Sequence, residues 1–145
     1  DANVVAYLVV VGDMTAKARH LWTVDPDWRA PRLLSYELTN VFSRLLAHEA
    51  FDLRTAQTGL TTALSVVRMT ASEPSPSRVL EIAARLRLSA YDAYYVATAE
   101  MEHTLLITED KRLLHSAPQM ARSIAAALSL EPCPSPTQSE PSDKT

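Results

Sequence analysis

The chain contains only two glycines among its 145 residues, Gly12 and Gly59. Loops that cradle nucleotide phosphates need several closely spaced glycines, as in the G-x-G-x-x-G dinucleotide fingerprint and the G-x-x-x-x-G-K-[ST] phosphate loop. Two glycines so far apart can form neither pattern. The sequence therefore excludes dinucleotide-binding and P-loop chemistry.

A chain of this length with 47% hydrophobic residues is large enough to bury the core of one domain. Its net charge is −3, and the three acids and Lys144 that follow from Glu131 carry −2 of that charge. The rest of the chain is thus almost neutral. A nucleic-acid partner would have to be held by local basic clusters, because no overall positive field attracts it.

Cysteine usage and hydropathy indicate where the protein acts. The single cysteine, Cys133, allows no intrachain disulfide, which favours a reducing compartment. The longest apolar run, residues 4–11, is too short to span a bilayer, and no basic leader precedes it. The sequence begins at Asp1 without a methionine, which suggests that residues before it are missing. We expect a cytoplasmic protein with no membrane partner.

Hydrophobic periodicity predicts a chain of helices. Leu34, Leu38, Val41 and Leu45 recur every three or four positions, as on the apolar face of an amphipathic helix. The predicted helices cover about 13–22 with Asp13 as N-cap, 32–49, 52–67, 77–87, Ser89 to 102, and a short helix within 110–116. The helices over 32–49 and 52–67 are expected to form an antiparallel hairpin.

Residues 103–108, HTLLIT, predict a short buried strand among these helices, with the apolar N-terminus as its expected partner strand. This combination predicts an α/β sandwich with a small central parallel sheet flanked by helices. We assign residues 1–130 to this domain. Residues 131–145 are rich in proline and serine, and we expect them to form a disordered tail.

Four acidic residues stand where the pattern predicts core edges, helix starts or strand ends, and each also has a structural explanation. Glu37 lies at the edge of an apolar helix face, where a salt-bridged glutamate would also be at home. Asp92 follows Ser89 by three positions, as in a capping box whose acid reaches back to the Ser89 amide. Asp110 follows the strand and could cap the next helix. Asp1 would occupy a similar place if a strand preceded it.

Together these four acids make a case that none makes alone. Gathered in one pocket, Asp1, Glu37, Asp92 and Asp110 would repel one another unless a cation neutralised them. Oxygen ligands of this kind suit Mg²⁺ or Mn²⁺ better than zinc. The sequence thus favours a metal site made of carboxylates.

The same residues resemble a known family, the PIN-domain ribonucleases, and within it the small VapC-type toxins of toxin–antitoxin pairs. The segments SAYDAYYVATA and LLITEDKRL look like the family's third and fourth acidic blocks, with Asp92 and Asp110 at the acidic positions. DANVVAYL is similar to the first block, with Asp1 and Asn3, and PRLLSYELTNVF to the second, with Glu37 beside Asn40. The match covers nearly the whole chain before the tail.

This resemblance implies a PIN fold and a Mg²⁺- or Mn²⁺-dependent endoribonuclease, the toxin of a toxin–antitoxin pair. It implies that the four acids are catalytic metal ligands, that Asn3 and Thr108 support the pocket, and that the protein forms a homodimer and binds a cognate antitoxin. Lys111 or Arg112 could position the RNA backbone, although a solvated surface role is equally consistent with their sequence context.

Two other functions stay open. The chain could be a PIN-like module that binds the antitoxin or another copy of itself with little or no catalysis. It could also be a phosphohydrolase that uses Asp1 as nucleophile, although that chemistry usually needs D-x-D and position 3 is an asparagine, Asn3.

Overall fold

The structure, a computed structural model, describes residues 1–129. It contains eight helices in that range: α1 Ala2–Val9, α2 Thr15–Val24, α3 Leu33–Ala47, α4 Leu53–Ser65, α5 Pro76–Leu86, α6 Ala90–Met101, α7 Lys111–Ser116 and α8 Ile124–Leu128. The predicted tail, residues 131–145, lies outside the described residues. The predicted helices are thus all present, with ends that differ by a few residues.

Four short strands form two parallel pairs. Strand β1, Arg29–Ala30, pairs with β2, Arg68–Met69, and strand β3, Leu106–Ile107, pairs with β4, Ala121–Arg122. These pairs belong to two separate sheets over residues 1–129. The predicted α/β class with small parallel sheets flanked by helices is confirmed, and the strand predicted over 103–108 is reduced to two residues.

The N-terminal segment is helix α1, so the prediction that it forms the partner strand of β3 is wrong. Asp1 caps this helix, because its Oδ1 accepts a hydrogen bond from the Val4 amide at 3.0 Å. The helix buries Val4, Val5 and Leu8. Contacts on more than one side therefore override the strand preference of its valines. The actual partner of β3 is β4.

Helix α2 begins later than predicted, at Thr15, with Met14 rather than Asp13 as its N-cap residue. The Thr15 hydroxyl accepts a hydrogen bond from the Gly12 amide and donates one to the Val10 carbonyl. These bonds close the turn before the helix, which moves its start past Asp13.

Within residues 1–129, three hydrophobic clusters form the core. One joins α5, α6 and α7 around Ile82, Val96 and Leu113. The second joins α1, α3 and α4 around Leu34 and Leu38, and the third joins α1, α2 and α8. Helix α1 contributes to the last two clusters, so it occupies the middle of the molecule and carries Asp1 into the interior.

Candidate active site

A cleft of about 170 Å³ opens where α1, α3, α6 and the start of α7 meet. All four acids singled out from the sequence line it: Asp1, Glu37, Asp92 and Asp110. They come from four different helices or helix caps, which brings together residues far apart in the chain. The other polar side chains that line the cleft are Asn3, Asn40, Arg44 and Tyr95.

Thr108 joins two of these acids. Its hydroxyl donates to Asp1 Oδ2 at 2.5 Å and accepts a hydrogen bond from the Asp110 amide at 3.0 Å. Thr108 is completely buried, and the Asp1 nitrogen donates to the Ile107 carbonyl beside it at 2.8 Å. The end of β3 thus fixes Asp1 and the cap of α7 relative to each other.

Asp110 caps helix α7, as the sequence predicts. Its Oδ1 accepts hydrogen bonds from the Arg112 and Leu113 amides, at 2.7 and 3.1 Å. Backbone amides of the first helical turn are the usual hydrogen-bond partners of an N-cap carboxylate. The cap therefore leaves Asp110 anchored by one oxygen at the edge of the cleft.

Glu37 has an aromatic partner. The Tyr95 hydroxyl donates to Glu37 Oε2 at 2.6 Å. Burial raises the pKa of Tyr95, and so do the hydrogen bond to Glu37 and the negative charges of Glu37 and Asp92. Tyr95 therefore stays protonated and keeps donating, which holds one Glu37 oxygen in place between α3 and α6.

The capping-box geometry predicted at Asp92 is only partly correct. Ser89 Oγ accepts from the Asp92 amide at 3.1 Å, as expected of an N-cap. Asp92 Oδ2, however, accepts a hydrogen bond from the Ser89 hydroxyl at 2.8 Å and does not reach the Ser89 amide. The Arg112 guanidinium also lies 3.3 Å from Asp92 Oδ2. Asp92 Oδ2 is thus bonded to two side chains, those of Ser89 and Arg112.

A comparison with known protein families shows the family to which the chain belongs. The PIN domain family matches residues 1–117, most of the chain. The chain belongs to the PIN domain family. PIN domains are nucleases that typically depend on divalent metal ions.

Solved structures support the fold of this PIN domain. The chain is similar to PAE2754 from Pyrobaculum aerophilum, with a TM-score of 0.69, 22% sequence identity, and coverage of 88% of this chain and 89% of that one. At this identity the likeness bears on the fold alone. A search of curated protein sequences found no match. No helix within residues 1–129 of this PIN domain has the length and apolar character needed to cross a membrane.

The donor set of this PIN domain fits a hard divalent cation. Among the four acids of the cleft, three carboxylate oxygens accept no hydrogen bond from residues 1–129: Glu37 Oε1, Asp92 Oδ1 and Asp110 Oδ2. Carboxylate oxygens are the ligands that Mg²⁺ and Mn²⁺ prefer. As described over residues 1–129, no three Asp, Glu, His or Cys side chains are close enough together to hold a metal ion. The four acids line one cleft, but in this arrangement they are not gathered around a single point.

The supporting residues are placed unevenly around the cleft of this PIN domain. Asn3 lines it, and Thr108 lies buried behind Asp1. Lys111 and Arg112 are exposed and are not part of its lining, although the Arg112 guanidinium reaches Asp92 at its edge.

Sequence reasoning missed two polar residues of the cleft, Tyr95 and Arg44. Helical spacing contained a signal for both. Tyr95 follows Asp92 by three positions, and Arg44 follows Glu37 by about two turns, so each lies on the helix face of an acid already chosen. The spacing alone does not indicate that α3 and α6 meet. The hydrogen bond between Tyr95 and Glu37 in the structure shows that they do.

Proposed function

We propose that this PIN domain is a Mg²⁺- or Mn²⁺-dependent endoribonuclease and the toxin of a toxin–antitoxin pair. The observation that carries the nuclease part is the cleft on which Asp1, Glu37, Asp92 and Asp110 converge from four elements. A cleft with this excess of carboxylates repels a bare phosphodiester, so the substrate needs a neutralising cation there.

In this proposal the four carboxylates hold the cation. A bound divalent ion would lower the pKa of a water molecule and would stabilise the charge that develops on the scissile phosphate. Thr108 keeps Asp1 and the cap of α7 together, and Tyr95 keeps one Glu37 oxygen oriented. Such supporting hydrogen bonds orient ligands and tune their affinity.

The Arg112 guanidinium beside Asp92 supports a role in positioning the RNA backbone, as does the neighbouring exposed Lys111. We place the protein in the cytoplasm, because the lone Cys133 allows no intrachain disulfide.

The nuclease proposal is tested with the full chain, a structured RNA and Mn²⁺. We expect internal cleavage that EDTA abolishes and that Asp92→Asn lowers by at least about 100-fold. Glu81→Gln is the matched control, because Glu81 is an exposed acid on α5 outside the cleft. Cleavage that persists in both EDTA and Asp92→Asn would refute the metal-nuclease proposal.

The toxin role rests on the resemblance of the four acidic blocks to VapC-type toxins, which also implies a homodimer and an antitoxin partner. We expect expression of the chain to arrest bacterial growth, Asp92→Asn to relieve the arrest, and the purified chain to elute as a dimer. Growth arrest that Asp92→Asn does not relieve, together with no RNA cleavage, would favour the non-catalytic binding module instead.

A further inference from the structure

Helix α3 carries a row of side chains that extends beyond the acidic residues. Asn40 and Arg44 both line the cleft, and they are four positions apart, so they lie one above the other on the same helix face. Tyr36 occupies the same row one turn before Asn40. The row therefore presents the Tyr36 ring outside the cleft lining at one end, and Asn40 and the Arg44 guanidinium within the lining toward the other.

Arg44 is a cation in an acidic cleft that pairs with none of the acids. The seven ion pairs within residues 1–129 do not include it, and its side chain makes no hydrogen bond there. Arg112, at the edge of the same cleft, instead bonds to Asp92. The five donors of Arg44 therefore stay available for an anion, and a phosphate matches their planar fork.

Tyr36 is the second unused group. It is 74% exposed, although a tyrosine ring normally buries much of its area, and its hydroxyl makes no hydrogen bond within residues 1–129. An exposed ring beside a cleft that carries a free guanidinium can stack on an unpaired base, whereas a base inside a duplex offers no free face. The exposed ring thus favours single-stranded over double-stranded RNA.

The two groups are separated by eight residues of helix, about 12 Å along its axis. A few nucleotides of an extended strand cover that distance, and the strand would then pass over Glu37 and Asn40 between the two contacts. The spacing matches a strand that crosses Glu37 and Asn40 with its backbone held at Arg44 and a base held at Tyr36.

We propose that Arg44 binds a phosphate and Tyr36 stacks on an unpaired base of single-stranded RNA, so that α3 lays the strand across the acidic cleft. This inference rests on the proposed nuclease function for the identity of its ligand. The two contacts determine how the strand lies and what secondary structure the substrate must lack. Both are positioning roles.

The phosphate contact is tested by fluorescence anisotropy with a labelled unpaired oligoribonucleotide, in the full chain carrying Asp92→Asn to prevent cleavage. We expect Arg44→Ala to weaken binding about tenfold at low salt. It should also reduce the slope of log K against log [salt] by about one phosphate contact. Arg44→Lys should keep the slope, because it keeps the charge. Arg54→Ala is the matched control, since Arg54 is an exposed α4 arginine outside the cleft. An unchanged slope in Arg44→Ala overturns the inference.

The stacking contact is tested with Tyr36→Ala and Tyr36→Phe on the same oligonucleotide and on a fully paired duplex of the same sequence. We expect Tyr36→Ala to weaken binding of the single strand about tenfold or more and to leave the duplex unaffected, with Tyr36→Phe close to the parent chain. Equal losses on both nucleic acids overturn the inference. So does a Tyr36→Ala chain that changes its oligomeric state, because Tyr36 would then belong to a protein interface.

The outcomes separate this inference from the nuclease proposal. Binding that responds to Arg44 and Tyr36 without any cleavage by the unmodified chain refutes the nuclease and supports the strand path. Metal-dependent cleavage that neither substitution alters supports the nuclease and overturns the strand path. If the parent chain binds no unpaired RNA, the inference is overturned directly.

Discussion

Two buried threonine hydroxyls, those of Thr70 and Thr108, are expected to affect the stability of the fold in opposite directions. Thr108 bonds to Asp1 and to the Asp110 amide. The Thr70 hydroxyl is buried and has no hydrogen-bond partner within residues 1–129. A buried hydroxyl without a partner costs free energy, whereas a satisfied one does not.

We therefore expect Thr70→Val to raise the free energy of unfolding by about 1 kcal/mol, because valine has nearly the same shape and no polar atom. Thr108→Val should lower it by about 1–3 kcal/mol, because Asp1 and the Asp110 amide lose their shared partner. Urea unfolding of the two variants measures both changes. A loss of stability in Thr70→Val would mean that the hydroxyl finds a partner in solution.

Tyr95 makes stability depend on pH in the alkaline range. Burial and the nearby negative charges raise the pKa of Tyr95 above its ordinary value of 10.0. Below pH 10 Tyr95 is protonated in both the folded and the unfolded chain. Above it only the unfolded chain releases the proton, so the free energy of unfolding should fall as pH rises, by up to about 1.4 kcal/mol per pH unit.

Tyr95→Phe removes this proton and supplies the control. We expect the difference in unfolding free energy between the unmodified chain and Tyr95→Phe to be constant from pH 7 to 9 and to shift in favour of the variant above pH 10. Other tyrosines contribute equally to both chains and cancel. A difference that stays constant up to pH 11 would show that Tyr95 titrates normally.

At the scale of elements, the contact between α3 and α4 depends on a glycine. A Cβ placed on Gly59 would lie 2.6 Å from Phe42 Cε1, and the Phe42 ring is itself buried. Alanine normally stabilises a helix relative to glycine by about 1 kcal/mol, but inserting an atom into a packed core costs about 1–3 kcal/mol. The crowding should exceed the gain.

We expect Gly59→Ala to lower the free energy of unfolding by about 1–2 kcal/mol, measured by urea titration. Gly12→Ala is the matched control, because a Cβ there meets nothing within 4 Å, and it should leave stability unchanged or slightly raised. Adding Phe42→Leu should recover part of the loss in Gly59→Ala. If Gly59→Ala is more stable than the parent chain, the helices separate more easily than the packing indicates.

At the scale of the whole molecule, the packing of two core clusters forms the cleft. Tyr95 and Leu113 come from the cluster of α5, α6 and α7, whereas Ala2 and Val41 pack in or against the cluster of α1, α3 and α4. The cleft lies where these two parts of the core meet. The four acids thus depend on the relative placement of both clusters, and a ligand held by all four would stabilise the folded chain as a unit.

We therefore expect Mn²⁺ to raise the thermal midpoint of the full chain in the absence of RNA. A stabilisation of about 2.7 kcal/mol corresponds to a metal concentration of 100 times the dissociation constant. Asp92→Asn should reduce the shift, and Glu81→Gln should preserve it, because Glu81 lies outside the cleft. Equal shifts in all three chains would indicate non-specific binding of the ion to surface acids.

The sequence by itself predicted most of the local structure and singled out the four acids as a group. Periodicity predicted six of the eight helices within residues 1–129, and capping chemistry placed Ser89 and Asp110 at helix starts, because both effects act over a few neighbouring residues. The four acids stood out because a carboxylate at a core edge or strand end is unusual unless it has a structural or functional role.

Only the tertiary structure decided the rest. An apolar run rich in valine is compatible with a strand or with a buried helix, and packing of α1 against two core clusters selected the helix. The partner of Glu37 is Tyr95, far along the chain, and the place of Arg44 in the cleft depends on how α3 meets its neighbours. Contacts between distant residues arise from the packing of whole elements, which no local pattern encodes.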